Sequence, residues 1–491
     1  MGKWMSSALM ALSLLAANLF AATWPSGFVE TQVAGGLISP GGMDIAPDGR
    51  VFIAQQKGQI YVLRNDTLLT QPVLNIQYKV DYNTERGVNG IVLDPDFATN
   101  NYLYIYYTVK YPVSHNRLSR YTVVNNLIDT AQETVLFEVD TLPLRASFTS
   151  INVPGTTTRA VWHMGGGLVF GNDGKIYVGV GEHEVSPMAQ SLASMFGKIL
   201  RLNPDGSIPT DNPFYNTATG KYRAIYTYGM RNPFTLGIQR TTGKIFANDV
   251  GDGTWEEVDT IVSGKNYGWD GCEGGYNRGS TTALCSNASY VKPLFFYQHG
   301  TSTSRGNCVI GGGFTNNFRP ADAGMYIFGD FTNNTGTTSG TGGQSWIKRV
   351  NPTNGADTST LATGILDLVE MKFAPNGNLY YLSRGYSTGT IDTVSPFTSR
   401  GQGRALKVTY PAAASIAHYQ SFNGSATYGL LVNLGAGRSL KIPAGISGLQ
   451  LFDLGGRKVW DANHLKAGET LAIPSTVSRG MLKYRWLPTA R

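Results

Sequence analysis

Trp162-His163-Met164-Gly165-Gly166-Gly167 places an imidazole beside three glycines. Residues without side chains let the backbone approach a ligand closely. An imidazole that titrates near neutrality can take a proton from it. The same histidine could instead be a packed structural residue. Arg231 and Asn232, within Tyr228-Gly229-Met230-Arg231-Asn232-Pro233-Phe234, form a second group. The guanidinium can fix an anion or stabilise developing negative charge, and the carboxamide can orient a ligand; the alternative is a surface arginine capping the turn before Pro233. A third group is Asn248-Asp249-Val250-Gly251-Asp252-Gly253, followed by Glu256, Glu257 and Asp259. Carboxylates and free carbonyls on a glycine-rich loop suit calcium, although the spacing is not that of an EF-hand.

The elements that must carry these groups are strands. A turn of Asp, Asn or Gly followed by an alternating apolar run recurs six times: PDGRVFIAQQ from Pro47, DPDFATNNYLYIYYT from Asp94, GNDGKIYVGVGE from Gly171, TTGKIFANDVGDG from Thr241, AGMYIFGDF from Ala323 and APNGNLYYLSRG from Ala374. Asp-Gly and Asn-Gly supply the positive φ of tight turns, and period-two alternation marks half-buried strands. Spacings of roughly 45 to 80 residues suit four-stranded blades with variable loops. A β-helix needs closer repeats, and no amphipathic helix of three turns or more lies between the copies. The expected fold is all-β, a six-bladed β-propeller over residues 23–410. A small-residue linker over 411–424 then leads to a small β-sandwich-like module over 425–491, where Gly455-Gly456 reads as a hairpin turn. In a propeller the functional groups sit on loops around one mouth of the central channel, where all three groups above adjoin repeated strands.

Composition agrees with a turn-rich β protein. Glycine is 60 of 491 residues and charged residues are only 15%, against about 25% in ordinary soluble chains. The formal charge is +7, but from Ile416 onward there are nine Lys/Arg against three Asp/Glu, leaving 31 against 30 in the rest. A neutral main body has no electrostatic footprint for nucleic acid. Lys3, the apolar run Met5–Phe20 and the small residues Ala21-Ala22 read as a secretory signal over 1–22. About 16 apolar residues fall short of the ~20 that span a bilayer. Export permits a disulfide: closing the loop between Cys272 and Cys285 would restrict the unfolded chain by roughly 3 kcal/mol, leaving Cys308 as the odd thiol.

Together these segments resemble the glucose/sorbosone dehydrogenase family, the soluble sugar dehydrogenases that use pyrroloquinoline quinone (PQQ), with the hedgehog-interacting-protein-like propellers among them. The resembling segments are ERGVNGIVLDPDF from Glu85, HMGGGLVFGNDGKIYVGVGE from His163, FGKILRLNPDG from Phe196, YGMRNPF from Tyr228, DVGDGTWEEVDTIVSGKNYGW from Asp249 and NLYYLSRG from Asn378. They run in family order over roughly residues 30 to 410. The resemblance implies an aldose dehydrogenase acting at the anomeric carbon. His163 would be the base that takes the C1 hydroxyl proton as hydride passes to PQQ, and Glu182 would orient it where relatives carry an aspartate. Arg231 and Asn232 would contact the cofactor, the carbonyls of Gly251 and Asp252 would hold the calcium that polarises it, and Glu85 and Trp162 would meet the sugar. It also supports a Cys272–Cys285 disulfide. An external electron acceptor is implied, since there is no CxxCH haem motif.

The chain departs from the family where PQQ carboxylates are anchored by a lysine and two arginines. Asp367 and Val369 stand at the arginine positions, and the lysine position falls near Thr332. Arg384, Lys348 and Arg349 are the cations nearby that could replace them. In the C-terminal module, LFDLGGRKVW resembles bacterial secretion-sorting domains, which implies attachment to a cell surface or secretion system. The sequence thus supports an exported or periplasmic PQQ- and calcium-dependent aldose dehydrogenase. The alternatives are a non-catalytic carbohydrate- or protein-binding propeller, or a calcium-dependent lactonase by analogy of fold.

Overall fold

Each of the six repeated segments forms the turn and second strand of an antiparallel sheet. In this computed structural model the described residues are 22–144, 159–287, 289–314, 318–331, 344–385 and 402–410, with 416–418, 427–431, 439–441, 446–452, 457–466, 469–472 and 482–488 beyond them. Residues 1–21 of the expected signal segment 1–22, Thr332 and Gly455-Gly456 lie outside this set. Three of the six turns share one geometry. Gly49, Gly174 and Gly377 have φ of 85°, 70° and 87°, and each donates its N–H three residues back, to the carbonyls of Ala46, Gly171 and Ala374.

Six sheets result, which we number as blades. Blade 1 holds Pro40–Ile45, Val51–Gln55 and Gln59–Arg64, with the short Thr67–Leu68 and Leu74–Asn75 sharing its outer edge. Blade 2 runs Val88–Leu93, Tyr102–Val109, His115–Thr122 and Thr134–Thr141. Blade 3 runs Leu168–Phe170, Ile176–Val180, Lys198–Leu202 and Ile225–Tyr228. Blade 4 comprises Pro233–Gln239, Lys244–Asp249, Trp255–Thr260 and Phe295–Gln298. Blade 5 comprises Val309–Phe314, Tyr326–Asp330, Gln344–Val350 and Ser359–Leu366. Blade 6 joins Leu368–Phe373, Leu379–Ser383 and Gly403–Thr409 to Val29–Leu37 from the other end of the chain, which closes the ring.

The first strands of successive blades touch around the whole circle. Both faces of a blade are therefore covered, and the strands read as near-continuous apolar runs; Val51–Gln55, Ile176–Val180 and Leu379–Ser383 are buried throughout. Large apolar side chains fill the spaces between blades. Tyr107, Ile105 and Phe97 pack with blade 1, Tyr104 and Tyr106 with blade 3, and Trp346, Tyr326 and Phe328 between blades 4 and 5. Among the described residues the only α-helix is Phe97–Asn100, and no helix is long and apolar enough to cross a membrane.

A second compact unit comprises Trp24–Val29 and Thr409–Arg491. Its strands Ile416–His418, Thr427–Leu431, Leu482–Pro488, Ile446–Phe452 and Lys458–Asn463 form one antiparallel sheet, and Ser439–Lys441 pairs with Thr470–Ala472. Leu449 and Leu451 are fully buried in it. Ile416–His418 falls inside the stretch expected to be a linker: three small residues ahead of it read as a joint, but its pairing partner Thr427–Leu431 lies about ten residues further on, too far for the sequence to show the match.

Candidate active site

A cavity of about 350 Å³ opens on the propeller, lined by loops and first strands of blades 1, 2, 4, 5 and 6 and by the segment leading into blade 3. Trp162 and His163 stand on that segment. It follows a tight path: Gly166 has φ 138° and a Cβ there would sit 2.6 Å from the Asn89 carbonyl. Two carboxylates fix the path. Glu85 Oε2 accepts the N–H groups of His163 at 2.7 Å and Met164 at 3.2 Å, and Glu184 Oε2 accepts that of Val161 at 2.9 Å. Asn232 Oδ1 accepts the N–H of Gly165 at 2.9 Å. His163 itself adopts φ 59°, a conformation that costs a non-glycine residue of order 1–3 kcal/mol and persists only where its surroundings impose it.

The imidazole is held at both nitrogens. Nδ1 bonds to Oε1 of Glu182, which is 1% exposed, and Nε2 meets Nη2 of Arg231 at 3.0 Å. Because a carboxylate only accepts, Nδ1 carries the proton and Nε2 presents its lone pair. Glu182 is placed by its own N–H, donated to the Arg231 carbonyl at 2.8 Å, and by Gly181, where any Cβ would lie 1.9 Å from the His163 carbonyl. Behind it His183 is wholly buried, stacked on Phe196 with ring centroids 4.6 Å apart. Burial, reinforced by the neighbouring His163, pushes its pKa down to about 3, so it stays neutral. It donates from Nδ1 to the Gly181 carbonyl (3.0 Å) and accepts from Asn116 at Nε2 (3.1 Å).

Arg231 begins the loop into blade 4. Its backbone N–H and that of Asn232 bond to the carboxylate of Asp249 at 2.9 and 2.6 Å. Its guanidinium donates from Nη1 to the Val250 carbonyl at 2.9 Å and from Nη2 to Asp252 at 3.3 Å, while Nε is buried without a partner. Around the 249–259 loop lies a set of buried acids. Burial pushes Asp249 up to about 7, against two backbone N–H bonds and the Arg231 charge. Burial and repulsion from neighbouring acids also raise Glu257 and Asp259, and both Asp259 oxygens lack a hydrogen-bond donor. Glu273 Oε1 accepts the N–H groups of Asp252 (2.7 Å) and Trp255 (3.2 Å).

The structure brings His163, Glu182, Arg231, Asn232, Glu85, Trp162, Gly251 and Asp252 to one place. All but Glu182 line the cavity, and Glu182 sits behind His163. Glu85 stands there as the clamp on the His163 backbone. Arg384 lines the wall, donating to Gln56 Oε1 at 2.7 Å, and Val369 lies beside it. The lining does not include Lys348, Arg349 or Asp367. Lys348 lies over the Trp346 ring at 3.9 Å, its pKa drawn down to about 8 by burial against the pull of Asp330. Arg349 pairs with Asp322 at 2.9 Å. A strand alternates faces, so adjacent cations at 348 and 349 cannot both turn to the channel. Cys272 and Cys285 are joined, with Cα atoms 5.6 Å apart. Glu184, His183, Glu273 and Gln56 lie outside the groups read from the sequence; each acts on backbone or on another side chain, as does Asp249 of the third group.

The cavity can take an anionic ligand. Its volume is in the range of ligand pockets, with apolar walls from Val88, Val250, Ile310, Phe331 and Val369, and Arg231 and Arg384 reaching it. Arg231 Nε and Asn89 Oδ1 are buried there without partners. For a cation, the N–H groups of Gly251 and Asp252 are taken by Glu256 at 3.3 Å and Glu273 at 2.7 Å, which leaves their two carbonyl oxygens. Among the described residues no group of three or more His, Cys, Asp or Glu side chains converges on a metal site.

The model of a family described as Glucose / Sorbosone dehydrogenase matches residues 37–319. The chain is 30% identical over 288 residues to quinoprotein glucose dehydrogenase B of Acinetobacter calcoaceticus, covering 53% of this chain and 56% of that protein. It is 26% identical over 241 residues to human hedgehog-interacting protein, covering 43% and 32%. The chain thus spans little more than half the length of the first of these relatives and a third of the second. A solved oxidoreductase structure from Thermus thermophilus, described as a putative glucose dehydrogenase, superposes with a TM-score of 0.59 at 27% identity over 78% of this chain and all of the other. With the family model matched over more than half its length, the chain belongs to the glucose/sorbosone dehydrogenase family.

Proposed function

We propose that this protein is an exported quinoprotein that oxidises an aldose at C1 to the lactone, with PQQ as hydride acceptor and calcium beside it. The observation that carries the reading is the imidazole of His163, fixed by Glu182 on Nδ1 and presenting Nε2 to a cavity that Arg231 and Arg384 reach. A bound quinone would supply the acceptor for the hydride leaving C1. The chain's own residues handle the proton. A sugar hydroxyl competes with Arg231 for the Nε2 lone pair and passes its proton there, and the Glu182 carboxylate stabilises the imidazolium that forms. Neutral His183 behind Glu182 adds no competing positive charge. Arg231 and Arg384 would hold the anionic groups of the cofactor, Asn232 would donate from its remaining amide, and the Gly251 and Asp252 carbonyls would hold calcium. Glu85 fixes the base, and Trp162 would offer a face to the sugar. Electrons leave to an external acceptor. Export is supported by the disulfide and the signal-like N-terminus, and the C-terminal unit would serve attachment.

One observation favours a second reading, a binding propeller that has lost the cofactor: Lys348 and Arg349 are turned to Trp346 and Asp322 rather than to the cavity. His163→Ala separates the two. The dehydrogenase reading expects dye-linked sugar oxidation to vanish while PQQ binding persists. Turnover unchanged in that variant would remove His163 from its role.

A further inference from the structure

Among the described residues only two aromatic side chains are more than half exposed, Tyr78 at 65% and Tyr111 at 67%. One exposed ring alone needs no explanation, but these two stand on paired segments. The second strand of blade 2, Tyr102–Val109, runs on past the start of the first strand, where Val88 faces Tyr107. Beyond that point its partner is the segment arriving from blade 1. Asp81 donates to the Thr108 carbonyl and Lys110 to the Lys79 carbonyl, each at 2.9 Å, with Val80 opposite Val109. Tyr78 and Tyr111 come two residues beyond that pair on either segment, at the same end. This end is tied to the cavity, because Thr84 and Val88 line it. Tyr111 is four residues past Tyr107, the partner of Val88, and so at most about 14 Å further along the strand. Tyr78 is six residues before Thr84, at most about 20 Å away. On the same segment Tyr82 is half-buried, with the ammonium of Lys57, the neighbour of cavity-lining Gln56, 4.7 Å from its ring.

A pyranose packs the C–H groups of one face on an aromatic ring while its equatorial hydroxyls stay in water. Tyrosine suits that contact, with a rigid apolar body and a polar tip. Hydrogen-bonding groups border both rings: the ammoniums of Lys79 and Lys110 lie 5.7 and 5.6 Å from the centres of Tyr78 and Tyr111, and Gln77 and Lys110 are exposed. Area decides against a protein partner. Two aromatic side chains bury roughly 300–500 Å² at most, whereas a stable interface takes about 800 Å² from each side. We propose that Tyr78 and Tyr111 form a carbohydrate subsite on the rim of the cavity. It holds the distal units of an oligosaccharide whose reducing end occupies the cavity. The proposal rests on the reading of the cavity as an aldose site. It adds the length of the substrate, a chain of several units rather than a free monosaccharide.

The test is a calorimetric titration of the signal-free, cofactor-free protein with glucose, xylose and the cello-, malto- and xylo-oligosaccharides of two to six units. In at least one series the hexasaccharide should bind about 10-fold or more tightly than its monosaccharide. The Tyr78→Ala/Tyr111→Ala variant should lose that gain, weakening the hexasaccharide about 10-fold as two ring contacts disappear, and leave the monosaccharide unchanged. Both side chains face water, so the substitutions leave the fold intact. Tyr78→Phe/Tyr111→Phe keeps the rings and should bind as wild type does. In the PQQ-loaded enzyme the Ala variant should raise KM for the oligosaccharide by the same factor, with kcat and the monosaccharide constants unaltered. Affinity that grows with length in no series, or grows equally in the Ala variant, overturns the proposal. So does a wild-type dimer in sedimentation that the Ala variant dissolves, which would assign the rings to a second copy of the chain. A wild-type protein that binds oligosaccharides through these rings yet oxidises none refutes the dehydrogenase reading alone.

Discussion

Glu182→Gln is the perturbation whose consequence follows most directly from the geometry. The carboxylate is buried and bonds through Oε1 to His163 Nδ1, and its Oε2 has no donor. Two things change when it becomes an amide. The first is charge: when His163 takes a proton, a carboxylate about 4 Å from the imidazolium centre is worth about 4 kcal/mol at an effective dielectric near 20. That corresponds to about three decades in rate, and the Arg231 charge on the other nitrogen offsets part of it. The second is orientation, because an amide can turn its NH2 toward Nδ1 and select the tautomer whose Nε2 already carries hydrogen. We expect kcat to fall about 100- to 1,000-fold with KM nearly unchanged. Glu182→Asp should retain more activity than Glu182→Gln, since it keeps the charge. The assay is dye reduction with saturating PQQ, calcium and aldose, alongside a titration of cofactor binding, which should stay close to wild type. A Glu182→Gln enzyme within threefold of wild-type turnover would refute the assignment of His163 and Glu182 as base and orienting group.

Arg384→Ala should weaken PQQ binding roughly 10- to 100-fold by equilibrium titration, the cost of one charge-assisted hydrogen bond, whereas Lys348→Ala should leave it unchanged because its ammonium lies over Trp346. Removing the disulfide as Cys272→Ser with Cys285→Ser should lower the unfolding free energy by about 3 kcal/mol in chemical denaturation. The pH dependence of stability has a definite sign. Asp249, Glu257 and Asp259 are raised in the folded state, so the stability they contribute is present at low pH and lost as pH rises, for Asp249 through about 7. His299 acts in the same direction, raised by its bond to Glu256 against the pull of burial. His183, lowered to about 3 from an unfolded value near 6.5, and Lys198, lowered to about 7, oppose this in part. In chelator the melting temperature should therefore rise as pH is lowered from about 7.5 to 6.5, and Asp259→Asn should flatten the slope. A curve that falls over that interval would contradict the placement of these acids.

The fold was legible because its signals are local. Each turn of Asp, Asn or Gly and the alternating run behind it form one hairpin, and six such hairpins imply six blades. The ring closure by Val29–Leu37 is not local, and no motif in that strand announces it. At the site, His163, Arg231 and the 249–252 loop were legible because glycines mark places where backbone comes close. Residues that act on backbone carry no such mark. Glu85 reads as a polar contact for substrate, yet its carboxylate takes two N–H groups of the histidine segment. The hairpin after Trp269 reads as a disulfide loop, and only in three dimensions does it return Glu273 and Arg278 to the loop they hold. Lys348 and Arg349 illustrate the limit of proximity in sequence, since strand alternation and the acids of blade 5 decide where they point.

The most direct test of the account is a titration of the signal-free protein with PQQ in calcium, followed by cofactor absorbance and by dye reduction across a panel of aldoses. Saturable one-to-one binding with sugar-dependent reduction, abolished by His163→Ala, is the expected result. An absence of saturable binding would contradict the dehydrogenase reading and leave a propeller whose cavity serves another ligand.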